Sequence, residues 1–357
     1  MPPVNHPSHS GKSGMGENAN MAATSALRIG LVNNMRGSAL PATERQFTNL
    51  VRTAAGEIPL HLSLYALQDV PRSDDEIRWM GCKYASVEDL WNNPPDGLIV
   101  TGAEPSTAQL SDEPYWGNLS SLIDWADRST ISSVWSCLAA HAAVVHLDGI
   151  ERRPLSEKLL GVFACRKASV GPLARRLTNG IHNRPRFPHS RWNDVSCIAE
   201  AGLAERYNIL TCSDEAGVDA FLRQGRSLFV CFQGHPEYEA DTLLFEYRRD
   251  IRRFLAGQRT DYPAMPSGYF DEKSTAVLRR YRERALREPH EDMLNKFPTS
   301  MLAARTSNDW TTSAVALYRN WLSYMWEQRS QREVARASGS RGIIPRNACN
   351  GTAYIRT

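Results

Sequence analysis

The sequence predicts an α/β protein built on a doubly wound, mostly parallel sheet with flanking helices. Along the first half of the chain, short apolar runs typical of buried strands alternate with amphipathic runs of helical spacing. Residues with acid–base or nucleophilic chemistry follow directly after three of the apolar runs. Because ligands bind beyond the carboxyl ends of the strands in such sheets, this pattern also predicts one functional site.

The predicted elements follow one another in a regular order. The strand-like runs are residues 26–34, 58–67, 96–104, 131–136 and 226–239, and the helical runs are residues 41–56, 114–129, 138–147, 240–257 and 314–328. In the first helix, Phe47, Leu50 and Val51 share one face, and Gly56 provides a stop. Residues 150–225 are less regular, and their short β-type runs predict a small antiparallel excursion.

One α/β domain is expected over residues 27–330, with a variable helical insert at about 270–312. Residues 1–26 are rich in Pro, Ser, Gly, Asn and His, and the end of the chain, 331–357, is rich in Arg, Ser and Gly. Such compositions are typical of disordered tails. The GKS at 11–13 does not complete a phosphate loop, because the first glycine of that motif is missing and no strand precedes it.

Composition and charge exclude several classes of function. The formal net charge of +3 is too small to indicate a nucleic-acid partner or an anionic membrane surface. No apolar run approaches the ~20 residues of a membrane span, and no apolar segment typical of a secretory signal is present. The seven cysteines are odd in number and include no CxxC pair, so neither disulfides nor a metal site is expected. We therefore expect a cytoplasmic protein.

Cys137 stands where a strand-like run changes into an alanine-rich helical run, in the stretch SSVWSCLAAHAA. A strand-to-helix corner holds a side chain clear of the sheet, as a nucleophile elbow does. The positive end of the following helix favours the thiolate, which is the reactive form of cysteine. Position alone would still favour an inert core cysteine, which is the interpretation preferred for the other six.

His235 and Glu237 favour a catalytic role for Cys137 over that of an inert core cysteine. They lie in the stretch QGHPEY, at the end of a strongly apolar run. Because Pro236 favours an extended neighbour, the two side chains are expected to project to the same side, as the base half of a catalytic triad. A surface ion pair is the plain alternative, but a cysteine elbow at another strand end favours the triad. His141, one helical turn after Cys137, is a rival base without an orienting carboxylate, so we expect it to be a pocket or packing residue.

Several short motifs occur in a fixed order along the chain. They are TERQF (43–47), DGLIVTGA (96–103), YW (115–116), WSCLAAHAA (135–143), SEKLLGVF (156–163), PHSRWND (188–194), GHPEYEADTL (234–243), EYRRD (246–250) and NWLSY (320–324). The set resembles the homoserine O-acyltransferases of methionine biosynthesis, over about residues 27–327. The resemblance implies the class I glutamine amidotransferase-like, flavodoxin-like fold.

The resemblance also implies roles for the site residues. Cys137 would be the nucleophile that accepts the acyl group, His235 the general base and Glu237 its orienting partner. Backbone N–H groups of Leu138 and of the loop formed by Gly102 and Ala103 are the natural donors to a tetrahedral oxyanion. The matching substrate-binding positions are Lys158, Ser190 and Arg249, which without the resemblance would be surface cations and a turn serine.

The implied reaction is a ping-pong transfer of an acyl group from acyl-CoA to the hydroxyl of homoserine. Succinyl-CoA or acetyl-CoA would serve as co-substrate, with no bound cofactor and no metal. Ser106 aligns with the position that separates the two donors, and its small uncharged side chain slightly favours succinyl. In relatives, the loop that corresponds to the one after Met35 carries lysines, which this chain lacks. Arg36 could make the contact to the CoA phosphate in their place. The partners would be these small molecules, without nucleic acid or membrane, and a homodimer is expected.

Three alternatives stay open. A glutamine amidotransferase domain would use the same triad, although its elbow has glycines where Trp135 and Ala139 stand here. The acceptor could instead be another hydroxy amino acid such as serine. A non-catalytic relative is disfavoured, since Cys137, His235 and Glu237 are present together.

Overall fold

The computed structural model describes residues 26–168, 171–195, 198 and 206–339. Its strands are β1 (Leu27–Val32), β2 (Leu60–Tyr65), β3 (Tyr84–Ala85), β4 (Gly97–Thr101), β5 (Ser132–Ser136), β6 (Arg153–Ala164), β7 (Arg166–Lys167), β8 (Arg186–Asp194), β9 (Tyr207–Ser213), β10 (Gly217–Gln224) and β11 (Leu228–Phe232). Its α-helices are α1 (Ala39–Ala55), α2 (Asp74–Met80), α3 (Val87–Asn92), α4 (Trp116–Ser129), α5 (Leu138–Asp148), α6 (Pro172–Leu177), α7 (Thr242–Leu255), α8 (Glu272–Arg287), α9 (Thr299–Ala303) and α10 (Thr311–Gly339).

Within the described ranges, nine strands form one sheet in the order β3-β2-β1-β4-β5-β11-β10-β9-β7. Neighbouring strands from β3 to β11 run parallel, whereas β10, β9 and β7 each pair antiparallel. Strands β6 and β8 form a separate antiparallel pair. The predicted doubly wound, mostly parallel sheet with a small antiparallel excursion is therefore confirmed.

The middle strands β4, β5 and β11 are buried along their whole length. Their side chains alternate between the two faces of the sheet. Ile99 and Val134 join a core that includes residues of α1, α7 and α10, whereas Val100 and Trp135 join a second core with residues of α4 and α5. Helices thus cover both faces, as a parallel sheet requires. The middle strands are therefore open to ligands only at their ends.

The helical insert expected at about 270–312 consists of α8, α9 and a 3-10 helix at Glu291–Lys296. Its apolar side chains, among them Leu278 and Tyr281, join the first core. Helix α10 continues to Gly339, beyond the boundary at residue 330 drawn from the sequence. The remainder of the two tails expected to be disordered, 1–25 and 340–357, lies outside the described residues.

Helices α2 and α3 lie between the strand-like runs 58–67 and 96–104, where the sequence pattern predicts no helix. Each begins with a capping box, formed by Ser73 with Glu76 in α2 and by Ser86 with Asp89 in α3. Helix α2 buries none of its residues. A helix this short and exposed shows no apolar periodicity, so its capping residues are the only local signal in the sequence.

Candidate active site

Three strands end side by side at one edge of the sheet. Thr101 of β4 pairs with Ser136 of β5, and Ser136 pairs with Phe232 of β11. The residues that follow, including Gly102 and Cys137, therefore leave the sheet at the same level. The Cys137 N–H donates to the Phe232 carbonyl at 2.7 Å, which fixes the corner after β5 to the neighbouring strand.

Cys137 has a left-handed backbone, with φ 49° and ψ −109°, directly before helix α5. In the described part of the chain it is the only non-glycine residue with positive φ. Such a conformation costs of order 1–3 kcal/mol for a residue with a Cβ and is typical of functional sites. It turns the half-buried thiol away from the sheet, as the nucleophile-elbow interpretation predicts.

The imidazole of His235 pairs with Glu237 and shares a cavity wall with Cys137. Its Nδ1 lies 2.7 Å from Oε1 of Glu237, and the ring interacts electrostatically with Cys137. The His235 N–H donates to the Pro188 carbonyl at 2.7 Å, and the ring stacks on Tyr238 with centroids 4.2 Å apart. The structure therefore brings the three residues expected to form a triad together on one wall, with His235 bonded to Glu237.

Burial and charge act in opposite directions on His235. Burial by itself lowers the pKa of the imidazole, because it disfavours the charged form. The Glu237 carboxylate and the ionised Cys137 thiol outweigh burial and raise the pKa of His235 well above its ordinary value. The charged form of the His235 imidazole is thus favoured on this wall of the cavity.

A cavity of about 460 Å³ opens in front of these residues. Its wall includes all the residues predicted for the site except Ser106. They are Gly102, Ala103, Cys137, Leu138, Lys158, Ser190, His235, Glu237 and Arg249. The cavity therefore unites the ends of β4, β5 and β11 with side chains from β6, β8 and α7.

A charged cluster forms another part of the cavity wall. Lys158 Nζ is 2.8 Å from Oδ2 of Asp250 and 3.4 Å from Oε2 of Glu246. Ser190 Oγ donates to the same Glu246 carboxylate, and Arg249 lies 3.5 Å from Asp250 and 3.8 Å from Glu246. Although burial would raise it, the pKa of Glu246 falls to about 2 because Lys158 and Arg249 favour its charged form. The cluster presents both signs of charge to a ligand.

Comparison with known proteins shows the family to which the chain belongs. A family model described as homoserine O-succinyltransferase matches residues 12–332. The chain belongs to the homoserine O-succinyltransferase family. The fold and the site described above are therefore those of a member of this family, and the expectation of an acyltransferase is confirmed.

Curated relatives with the same name cover most of this family member. The homoserine O-succinyltransferase of Rhodopseudomonas palustris is 46% identical over 301 residues, which are 84% of this chain and 89% of that protein. That of Bradyrhizobium japonicum is 46% identical over 303 residues, covering 84% and 90%. That of Methylorubrum extorquens is 42% identical over 304 residues, covering 83% and 86%.

Solved structures of low sequence identity were also found. A glutamine amidotransferase of Thermotoga maritima has a TM-score of 0.45 and 12% identity, over 84% of this chain and 98% of that one. The glutaminase domain of Trypanosoma brucei CTPS has a TM-score of 0.43 and 14% identity, over 68% and 98%. Scores below 0.5 support no inference about activity.

Ser106 lies away from the cavity of this homoserine O-succinyltransferase family member. Its N–H and hydroxyl donate to the two carboxylate oxygens of Glu113 at 2.6 and 3.0 Å. Glu104 and Pro105 line the cavity instead, and Glu104 forms a bidentate ion pair with Arg253 at 2.8 and 3.0 Å. The sequence position expected to separate acyl donors thus points into its own loop.

The oxyanion donors expected from the sequence lie close together. A Cβ added to Gly102 would approach the Leu138 Cβ to 2.5 Å and the Ala139 nitrogen to 3.2 Å. The loop after β4 therefore passes directly against the first turn of α5, where backbone N–H groups have no partner within the helix. Only a glycine permits this approach.

His141 does not compete with His235 as a base. It is fully buried, and its Nε2 lies 2.9 Å from Oε1 of Gln233. Burial first and the charge of Arg191 second lower the pKa of His141 to about 3, so the ring stays neutral. The expectation of a pocket or packing residue fits this environment.

Several residues of the site were not predicted as site residues. Glu246 and Asp250 bind the cations of the charged cluster, and both stand in the motif EYRRD that carried the resemblance. Tyr238 stacks on His235, and its hydroxyl donates to Glu246 at 2.5 Å. It stands in the motif GHPEYEADTL, directly after Glu237.

The described residues offer no group of three or more His, Cys, Asp or Glu side chains that could hold a metal ion. None of the helices within the same ranges is both long and apolar enough to cross a membrane.

Proposed function

We propose that this chain transfers a succinyl group from succinyl-CoA to the hydroxyl of homoserine, in the cytoplasm, as a step of methionine biosynthesis. The observation that carries the proposal is the meeting of Cys137 with the bonded pair His235 and Glu237 on the wall of one cavity, in a member of the homoserine O-succinyltransferase family. The transfer would proceed through a thioester on Cys137.

In the first half-reaction the Cys137 thiolate attacks the thioester carbon of succinyl-CoA. The developing oxyanion is stabilised by backbone N–H groups of Leu138 and of the loop at Gly102. The bond between the acyl carbon and the sulfur of CoA breaks, and the CoA thiolate takes the proton of the His235 imidazolium. The products are free CoA, a succinyl thioester on Cys137 and a neutral His235.

In the second half-reaction the homoserine hydroxyl attacks the thioester on Cys137. Neutral His235 takes the hydroxyl proton, and the acyl–sulfur bond breaks to release O-succinylhomoserine and the Cys137 thiolate. Glu237 holds the ring through Nδ1 and stabilises the imidazolium that forms. The cycle thus returns to the thiolate and imidazolium with which it began.

The charged cluster suits the acceptor. Homoserine carries an α-carboxylate and an α-ammonium, which require opposite charges from the protein. Arg249 can bind a carboxylate through both oxygens because its guanidinium is a planar fork. Glu246 and Asp250 supply negative charge on the same side of the cavity, and Lys158 and Ser190 hold these groups in place.

Mass spectrometry of the intact protein tests the proposal. Mixed with succinyl-CoA and no acceptor, the protein is expected to gain one succinyl group, which homoserine then removes. The variant Cys137→Ser should form no thioester, while Cys82→Ser, which replaces an exposed thiol, should react like the wild type. Absence of an adduct on Cys137, or glutaminase activity in its place, would refute the assignment and favour the amidotransferase alternative.

Replacing homoserine by serine in the same experiment tests the acceptor. Release of the succinyl group by serine but not by homoserine would overturn that part of the proposal. The expected homodimer stays a prediction, which light scattering of the full chain would test.

A further inference from the structure

Arg152 stands in the wall of the cavity without a carboxylate partner. It lies directly before β6, is half-buried, and donates from one terminal nitrogen to the Ala108 carbonyl at 3.1 Å. Within the described part of the chain, no carboxylate lies within 4.0 Å of its guanidinium. A half-buried charge of this kind is costly unless a counter-charge reaches it.

Three other cations of the same cavity wall differ from Arg152. Lys158 and Arg249 contact Glu246 and Asp250, and Arg253 is paired with Glu104. Their charges are thus largely neutralised before any ligand binds.

Glu113 is the acidic residue that interacts electrostatically with Arg152, and its carboxylate already has hydrogen-bond partners. Its carboxylate accepts hydrogen bonds from the N–H and hydroxyl groups of Ser106 and Thr107. Glu113 and Arg152 interact electrostatically at a distance without forming an ion pair. Arg152 also interacts electrostatically with Cys137. Burial lowers the pKa of the Arg152 guanidinium, and a negative charge on Cys137 opposes this effect. Arg152 is therefore a cation on the wall of the same cavity as the Cys137 sulfur.

We propose that Arg152 binds the distal carboxylate of a succinyl group carried by Cys137, and so selects a dicarboxylic acyl donor. The inference rests on the proposed acyl transfer. In a succinyl group the far carboxyl carbon is three carbon–carbon bonds of about 1.5 Å from the thioester carbon. A succinyl group on Cys137 would therefore extend its carboxylate into the cavity whose wall includes Arg152. Ala108 engages one of the five N–H donors of the guanidinium, which leaves others for a carboxylate. An acetyl group ends too early to reach them.

The variant Arg152→Gln tests the proposal with three donors, succinyl-CoA, butyryl-CoA and acetyl-CoA. Butyryl has the same four carbons as succinyl and no charge. The kcat/KM for succinyl-CoA is expected to fall about 10- to 100-fold, as for a lost hydrogen bond between charged groups, while the values for both uncharged donors change less than about threefold. Arg152→Lys, which keeps the charge but not the fork, should retain intermediate activity with succinyl-CoA.

The neighbouring exposed arginine gives a matched control. Arg153→Gln removes the same charge one residue away and should leave all three values unchanged. An equal loss with all three donors in Arg152→Gln, or an unchanged preference for succinyl-CoA over butyryl-CoA, would overturn the role of Arg152 while leaving acyl transfer intact. Wild-type protein that forms no thioester with any donor would instead overturn the proposed function itself.

Discussion

Lys158 Nζ lies 2.8 Å from Oδ2 of Asp250, and both side chains are almost entirely removed from solvent. Their partner Glu246 lies within 3.4 Å of the same ammonium. One buried cation therefore holds two buried carboxylates beside the cavity. Attraction inside a protein does not by itself stabilise the fold, but removing one member leaves an uncompensated charge.

The substitution Lys158→Met is expected to lower the free energy of unfolding at pH 7 by about 3 kcal/mol, because it leaves two carboxylates buried. Adding Asp250→Asn should restore part of this loss, since it removes one of them. Urea unfolding of both single variants and the double variant measures the coupling. Additive losses in the double variant would show that the pair is not coupled.

Glu246→Gln is expected to change how the free energy of unfolding depends on pH in acidic solution. The pKa of Glu246 is lowered in the folded protein to about 2, from 4.5, so its charge stabilises the fold above pH 4.5 and this contribution is lost as the pH falls toward 2. The difference in unfolding free energy between wild type and variant should be of order 3 kcal/mol at pH 7 and shrink below pH 4.5. Curves that stay parallel between pH 5 and 3 would contradict this.

Glu237→Gln should move the acid limb of deacylation to lower pH. The Glu237 carboxylate raises the pKa of His235, so its loss lowers that pKa and makes the neutral base available in more acidic solution. The plateau rate should fall about 10- to 100-fold because the ring loses its orienting acceptor. Rapid-quench transfer from preformed thioacyl enzyme to homoserine, at a series of pH values, measures both. An acid limb at the wild-type position would argue against this coupling.

Gly102→Ala is expected to reduce the rate of acylation more than a hundredfold. The new Cβ would lie 2.5 Å from the Leu138 Cβ, so the loop and the first turn of α5 must separate and the oxyanion donors diverge. Gly117→Ala is a control, because its Cβ would meet nothing within 4 Å. The rate of adduct formation with succinyl-CoA distinguishes them. Equal rates would exclude the Gly102 loop from oxyanion stabilisation.

The sequence predicts the central sheet and the meeting of Cys137 with His235 for a physical reason. Parallel strands in register end at one edge, so residues that follow buried apolar runs must lie close together. The capped helices α2 and α3 are not predicted because helices of one or two turns are too short to show an apolar period.

Other parts of the site depend on contacts that no local pattern carries. Ser106 points into its loop because Glu113, seven residues later, accepts its hydrogen bonds. The motif that contains Glu246 and Asp250 reads as a solvated charged helix face, and only the packing of β6 and β8 against α7 buries it. Arg152 lies in an irregular segment, where nothing in the sequence shows what its guanidinium faces.

The positive φ of Cys137 lowers the stability of the fold, but the side chain at this position is required for the proposed chemistry. Glycine adopts such a backbone freely, so Cys137→Gly would relax strain of order 1–3 kcal/mol and also delete the sulfur. Selecting variants of this chain only for a higher melting temperature would therefore favour an inactive protein. A thermostability campaign should hold residue 137 fixed and search the remainder of the molecule.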